Sequence, residues 1–145
     1  MKTFSIVSLN ISEEKGVIKV PVPKISVKEN HGIVGDAHAG DWHRQVSLLA
    51  MEDVEFMQKK LDTIKPGDFA ENITTKGIDL PALPIGTKLY IDDVGLEVTQ
   101  IGKKCHKGCA ILEQTGDCIM PRRGIFTKVI KGGEITHEST GTYNI

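Results

Sequence analysis

Residues 86–101, GTKLYIDDVGLEVTQI, decide the fold class. Apolar and polar residues alternate on both sides of Asp92–Asp93. Two strands, "TKLYID" and "GLEVTQI", therefore meet at a tight acidic turn. Working outward, "FAENITTKGI" (69–78) is also extended and β-branched, and "TFSIVSL" (3–9) reads as a strand. "GVIKVPVPKISV" (16–27) reads as one or two more, with Pro21 and Pro23 confining them to an edge or bend. "RQVSLLA" (44–50) is strand-like up to "MEDVEFMQKKL" (51–61), where Met51, Val54, Phe56, Met57 and Leu61 recur at helical spacing, acids early and lysines late. A short helix is expected over "GCAILEQ" (108–114), and two extended pieces flank Gly132–Gly133 in "GIFTKVIKGGEIT" (124–136). Many short strands with few, short helices predict a mainly β chain folded as a closed or partly open β-barrel. The last residues, "THESTGTYNI", are polar and terminal, which leaves their order open.

The bulk properties narrow the function. The 145 residues suit one domain, 1–145, large enough to bury a core. A formal charge of −1 supplies no global field toward nucleic acid or membrane. The start, "MKTFSIVSLNISEEKG", is too polar for a signal peptide and no run approaches a membrane span. The expectation is a protein of the reducing cytoplasm, in which three clustered cysteines argue for metal binding or reactivity over disulfides.

Three clusters carry chemistry. "GIVGDAHAGDWHRQVSLL" (32–49) brings Asp36, His38, Asp41, His43 and Arg44 together between glycines that permit close backbone approach. The same residues also suit a capped turn with solvated histidines. In "FAENITTKG", strict alternation places Asn72 and Thr74 on one face and Glu71 and Ile73 on the other. Their side chains suit either oxyanion binding or ordinary cross-strand pairs. "VTQIGKKCHKGCAILEQTGDCIMPRRG" (98–124) holds Cys105, Cys109 and Cys118. A C-x3-C-x8-C array with His106 invites zinc, but Cys105 and His106 are adjacent and no CxxC knuckle is present. Buried inert thiols are a second reading. In the third, Lys103, Lys104, His106 and Lys107 favour a thiolate at Cys105. Such a thiolate ligates a soft metal or carries a persulfide sulfur. Arg122 and Arg123 add guanidinium groups suited to phosphate.

In order and spacing, "GDAHAG", "HRQVSLL", "FAENITTKGI", "LPIGTKL", "LEVTQIGKKCH" and "MPRRGIFTKVIKGGEI" resemble the MOSC domain, the family named for the C-terminal domain of molybdenum cofactor sulfurases. The resemblance runs from about residue 10 to 135. It implies a β-barrel of MOSC type in a small stand-alone member, and a link to molybdenum cofactor, either as a molybdopterin binder or as a sulfur carrier. Members that reduce N-hydroxylated compounds imply a reductase subunit with a separate electron donor as an alternative, and a zinc-stabilised or plain interaction module is a further one. The family cysteine carries over to Cys105, as persulfide carrier or molybdenum ligand. Lys104 precedes it where many members have proline. The "GD.H.G" segment carries over to Asp36 and His38, and "F.EN.TT.G" to Glu71, Asn72, Thr74 and Thr75.

An anionic, sulfur-rich cofactor needs cations and donors. Lys15, Lys19, His38, His43, Arg44, Asn72, Thr74, Thr75, His106 and Arg122 are the candidates, with Asp36 from the family segment. The chain contains no desulfurase-like, iron–sulfur or flavin module. The resemblance therefore implies an external sulfur donor such as a cysteine desulfurase, or a molybdoenzyme as acceptor.

Overall fold

The structure is a computed structural model that describes residues 2–15, 17–102 and 123–144. Seven strands close a barrel. They are β1 (Lys2–Ile11), β5 (Val46–Ala50), β6 (Ile73–Lys76), β7 (Lys88–Ile91), β8 (Val94–Ile101), β9 (Ile125–Lys131) and β11 (Thr140–Tyr143). The sheet runs β11-β7-β8-β9-β5-β6-β1, and the β1–β11 pairing joins its ends. Every pairing in the barrel is antiparallel except β5 with β6. Residues 86–101 form the expected β7–β8 hairpin, with Leu89 opposite Leu96 and Ile91 opposite Val94. The polar C-terminus is the closing stave: Lys2 pairs with Tyr143 and Phe4 with Gly141.

Two short strands and a second sheet dress the barrel. β2 (Val20–Val22) adds to β1, and β10 (Gly133–Thr136), β3 (Lys24–Lys28) and β4 (Gly32–Ile33) form a three-stranded sheet. Pro21 sits opposite Asn10, whose own N–H donates across the other edge to Asn72 O at 2.7 Å. The missing proline donor therefore costs β2 no ladder bond.

Alternation fails in β1 for a specific reason. The β1–β6 register shifts between Ile6 and Ser8. Phe4, Ile6 and Leu9 all reach the barrel core, while Ser8 and Asn10 turn to the other face. One extra residue in the ladder reverses the side-chain phase, as a bulge must. β5 is buried along its whole length because both faces are covered. Val46, Leu48 and Ala50 join the barrel core, and Leu49 packs under helix α1 (Met51–Gln58) with Val54, Met57, Phe69 and Phe126.

The helix is shorter and narrower than its sequence period suggests. It buries Val54 and Met57, but Phe56 is 43% exposed, with Lys60 Nζ 5.5 Å from its ring centroid. Eight residues present one stripe to the barrel, and Phe56, about 100° round from Met57, falls outside it. The expected helix over 108–114 lies outside the described residues. No helix among the described residues is long and apolar enough to cross a membrane.

Candidate functional site

The 36–44 loop is tied down by a buried ion pair. Lys19 Nζ lies 2.8 Å from Asp36 Oδ1 and 3.0 Å from Ser12 Oγ, and neither charged side chain is solvent-exposed. Asp36 also accepts N–H bonds from Ser12 (3.1 Å) and His38 (3.0 Å). Burial alone would raise the Asp36 pKa. The Lys19 hydrogen bond and charge and the His38 and Ser12 N–H groups outweigh it, holding the carboxyl below the usual carboxylate range. Lys19 and Asp36 thus stand behind the loop and neutralise each other.

In front of the loop is a ring that the sequence reading did not single out, Trp42. Its Nε1 donates to His38 O at 2.7 Å, which fixes the indole against the loop. Lys15 Nζ lies 5.2 Å and Arg44 Cζ 4.7 Å from its centroid. His38 stacks on it at 6.3 Å, and His43 meets its edge at 5.9 Å. Arg44 also lies over Phe126 at 5.6 Å, where its buried Nε has no hydrogen-bond partner among the described residues. Four of the candidate residues, Lys15, His38, His43 and Arg44, therefore converge on one half-buried aromatic platform. The signal was present: the only tryptophan of the chain stands between Asp41 and His43.

The platform adjoins the origin of the cysteine-bearing stretch. His43 Nε2 is 2.8 Å from Gln100 Oε1, and Gln100 Nε2 donates to Gly102 O at 2.7 Å. Thr99 Oγ1 lies within hydrogen-bond reach of both His43 O and Phe126 O. The end of β8 is thus stitched to the platform, and Cys105 follows Gly102 by three residues. Cys105, Cys109, Cys118, His106 and Arg122 lie outside the described residues. Arg123 is described, and its guanidinium is engaged by Asp53 and Asp79.

Asn72 and Thr74 belong to a buried polar network. Asn72 Oδ1 accepts from Ser47 N (3.0 Å) and Oγ (3.2 Å), and its Nδ2 donates to Asn10 O at 3.2 Å. Asn10 Nδ2 donates to Glu71 O and Thr74 Oγ1, both at 3.2 Å, and Thr74 Oγ1 donates to Glu71 Oε2 at 2.8 Å. These residues join β1, β5 and the start of β6. The alternation expected over 71–74 does not hold, because Glu71 and Thr74 meet. Ala70 takes a positive φ of 63° and β6 begins only at Ile73, so Glu71 lies in irregular chain before the strand and has no strand phase. Burial pushes the Glu71 carboxyl above the usual range. Backbone N–H groups of Gly67, Glu71 and Phe69 face it and, with the Thr74 hydroxyl, offset only part of that effect. Glu71 Oε1 has no hydrogen-bond partner among the described residues.

Thr75 is fully buried beside Ile6 and Ala50, and its hydroxyl finds no partner among the described residues. A buried unmade hydrogen bond is unfavourable, whereas valine has the same shape without the polar atom. Thr75→Val is expected to leave the urea midpoint unchanged or raise it, within about 1 kcal/mol. A clear loss of stability would show that the hydroxyl is satisfied in solution.

The comparisons with known proteins agree with this architecture. The YuaD protein of Bacillus subtilis superposes with a TM-score of 0.80 at 19% identity, covering 97% of this chain and 94% of that one. YiiM of Geobacillus stearothermophilus superposes at 0.72 with 17% identity, over 98% and 75% of the two chains. YiiM of Escherichia coli gives 0.68 at 15% identity, over 100% and 71%. At these identities the likeness establishes the fold alone. No curated protein matches the sequence. The pattern of the MOSC domain matches residues 35–140, from the glycine that opens the "GDAHAG" loop to the first residue of the closing strand. The chain therefore belongs to the MOSC domain family, which is associated with the molybdenum cofactor.

Proposed function

We propose that this protein handles molybdenum cofactor, with the Trp42 platform holding the anionic pterin and Cys105 supplying the thiolate. The observation that carries the reading is Arg44. Its buried Nε is unmatched among the described residues while its guanidinium is held over Trp42 and Phe126, beside Lys15. Buried guanidinium N–H groups are rarely left without an acceptor, so a guanidinium with such an N–H beside an aromatic platform suits an anionic ligand. A flat pterin suits the indole face, and its phosphate suits Arg44 and Lys15. The neighbouring Asp36 adds no net repulsion, since Lys19 cancels its charge. Cys105 follows the last residue of β8, Ile101, by four positions in the chain.

In this reading Lys15, His38, His43 and Arg44 contact the ligand, with His106 and Arg122 from the cysteine-bearing stretch. Lys19, Asp36, Asn72 and Thr74 hold the loop and strands that present them. Bound molybdenum cofactor supplies the metal–sulfur centre. A persulfide on Cys105 is the other use of the same thiol, taking sulfur from a cysteine desulfurase and passing it to a molybdoenzyme. Both uses belong to the cytoplasm, where thiols stay reduced.

The test is native mass spectrometry with elemental analysis on protein purified anaerobically from a host that makes the cofactor. Molybdenum with a pterin-sized adduct is expected, abolished in Cys105→Ala and weakened roughly tenfold, about 1.4 kcal/mol, in Arg44→Gln. A one-sulfur mass increase, lost in Cys105→Ala, assigns the carrier role instead. Bare or zinc-loaded protein overturns the reading.

A further inference from the structure

Lys19, Asp36 and Glu71 are the buried charged side chains among the described residues, and the first two neutralise each other. Glu71 is met by donors instead. The Thr74 hydroxyl donates to Glu71 Oε2 at 2.8 Å, and the N–H groups of Gly67, Phe69 and Glu71 itself face the carboxyl. The direction of the Thr74 bond is fixed, because Thr74 Oγ1 also accepts from Asn10 Nδ2, a group that can only donate. An acceptor-only group in a donor-only setting gathers what surrounds it. Here it draws the turn at residues 66–69 onto the start of β6.

That turn touches both supports of the Trp42 platform. On one side Gly67 O accepts the Lys19 N–H at 2.8 Å. Gly67 takes a φ of 93°, and a Cβ there would overlap Lys19 O and press on Asn10 Cγ, so the turn and the Lys19 backbone are in direct contact. Lys19 Nζ continues to Asp36, Asp36 Oδ2 accepts the His38 N–H, and His38 O accepts Trp42 Nε1–H. On the other side Phe69 belongs to the buried cluster that holds Phe126, whose ring lies under the Arg44 guanidinium.

We propose that Glu71 is a positioning residue: its carboxyl group holds the 66–69 turn, and through Gly67 and Phe69 that turn sets Trp42 and Arg44 against each other. Ligand-contacting groups keep their geometry only when the groups behind them are themselves held. That the platform receives the cofactor rests on the function proposed above, whereas the placement of its indole does not.

Trp42 is the only tryptophan of the chain, so its emission reports on the platform directly. The test compares the Trp42 emission maximum and its quenching by acrylamide in the full chain for the wild type, Glu71→Ala, Glu71→Gln and Thr74→Val. Glu71→Ala is expected to raise the quenching constant roughly twofold and to red-shift the emission, because the turn loses its anchor. Glu71→Gln keeps an acceptor oxygen and should recover most of the wild-type signal. Thr74→Val removes one of the donors and should fall between Glu71→Ala and the wild type. Ile91→Val, a core truncation in the β7–β8 hairpin, should lower the thermal midpoint and leave the Trp42 signal alone.

Folded Glu71→Ala protein whose emission and quenching overlay the wild type, with the thermal midpoint alone lowered, would reduce Glu71 to a structural group. An equal change of signal in Ile91→Val would do the same. If Glu71→Ala does not fold, Thr74→Val decides the matter by the same readout, and an unaltered signal there overturns the proposal. Cofactor retention is scored separately. Altered quenching in variants of a protein that retains no molybdenum keeps the positioning role and removes the proposed function, and unaltered quenching in loaded protein does the reverse.

Discussion

Lys19→Met is expected to destabilise the fold by about 3–5 kcal/mol, measured by urea denaturation at neutral pH. The ammonium is fully buried and bonded to Asp36 and Ser12, so its removal leaves the buried Asp36 carboxylate with the Ser12 and His38 N–H groups and the His38 ring nitrogen 3.8 Å away. Asp36→Asn should also destabilise, because the buried Lys19 ammonium then loses the carboxylate 2.8 Å away. The double variant Lys19→Met/Asp36→Asn should cost clearly less than the sum of the singles, because neither charge is then stranded. Strict additivity would show that the two side chains do not interact.

The pair also sets an acid limit. The folded pKa of Asp36 lies below its reference value of 3.8, so its contribution is complete above that value. It is lost as pH falls through the lower, folded value. Glu71 and Asp53 have the opposite sign: their folded pKa values are raised, so acidification relieves the cost of keeping them ionised. Stability should therefore hold or rise on mild acidification and collapse only below about pH 4, a collapse that Lys19→Met blunts. A steady decline beginning near neutrality would contradict this balance.

Gly141→Ala should prevent proper closure of the barrel, costing about 3 kcal/mol. Gly141 faces Phe4 across the β1–β11 seam, and a Cβ there would fall inside the van der Waals envelope of Phe4 Cζ, Cε1 and Cε2. Phe4 is 3% exposed, in the barrel core, and tilted against Tyr143 at a centroid distance of 6.1 Å. Phe4→Leu removes the atoms that clash. Gly141→Ala should therefore cost much less in a Phe4→Leu background than in the wild type. Equal cost in both backgrounds would place the penalty in the backbone rather than in the ring contact.

The local patterns were legible wherever one face of a segment meets the core and the other meets water. The β7–β8 hairpin, the edge placement of β2 and the mainly β class all follow from such patterns in residues 86–101 and around Pro21. Phe56 was misread because its apolar character continues a helical period that the short helix does not use. Glu71 was misread because a strand phase was extended across Ala70, whose positive φ breaks it. The last strand was left open because its polar composition resembles a frayed end, yet three of its four positions pair with β7 and all four with β1.

The sequence by itself determined the class of fold, the family pattern and the gathering of thiols and cations around Cys105. Those properties are written in short-range order, where residue type and spacing act on neighbouring backbone. The tertiary structure decided which candidates are spent. It paired Lys19 with Asp36, enclosed Asn72 and Thr74 in a satisfied network, closed the barrel with Gly141 beneath Phe4, and set Lys15, His38, His43 and Arg44 around Trp42. A charge or donor looks the same in sequence whether it is free or matched. Its partner is chosen by burial and by contacts between distant segments, which exist only once the barrel has closed.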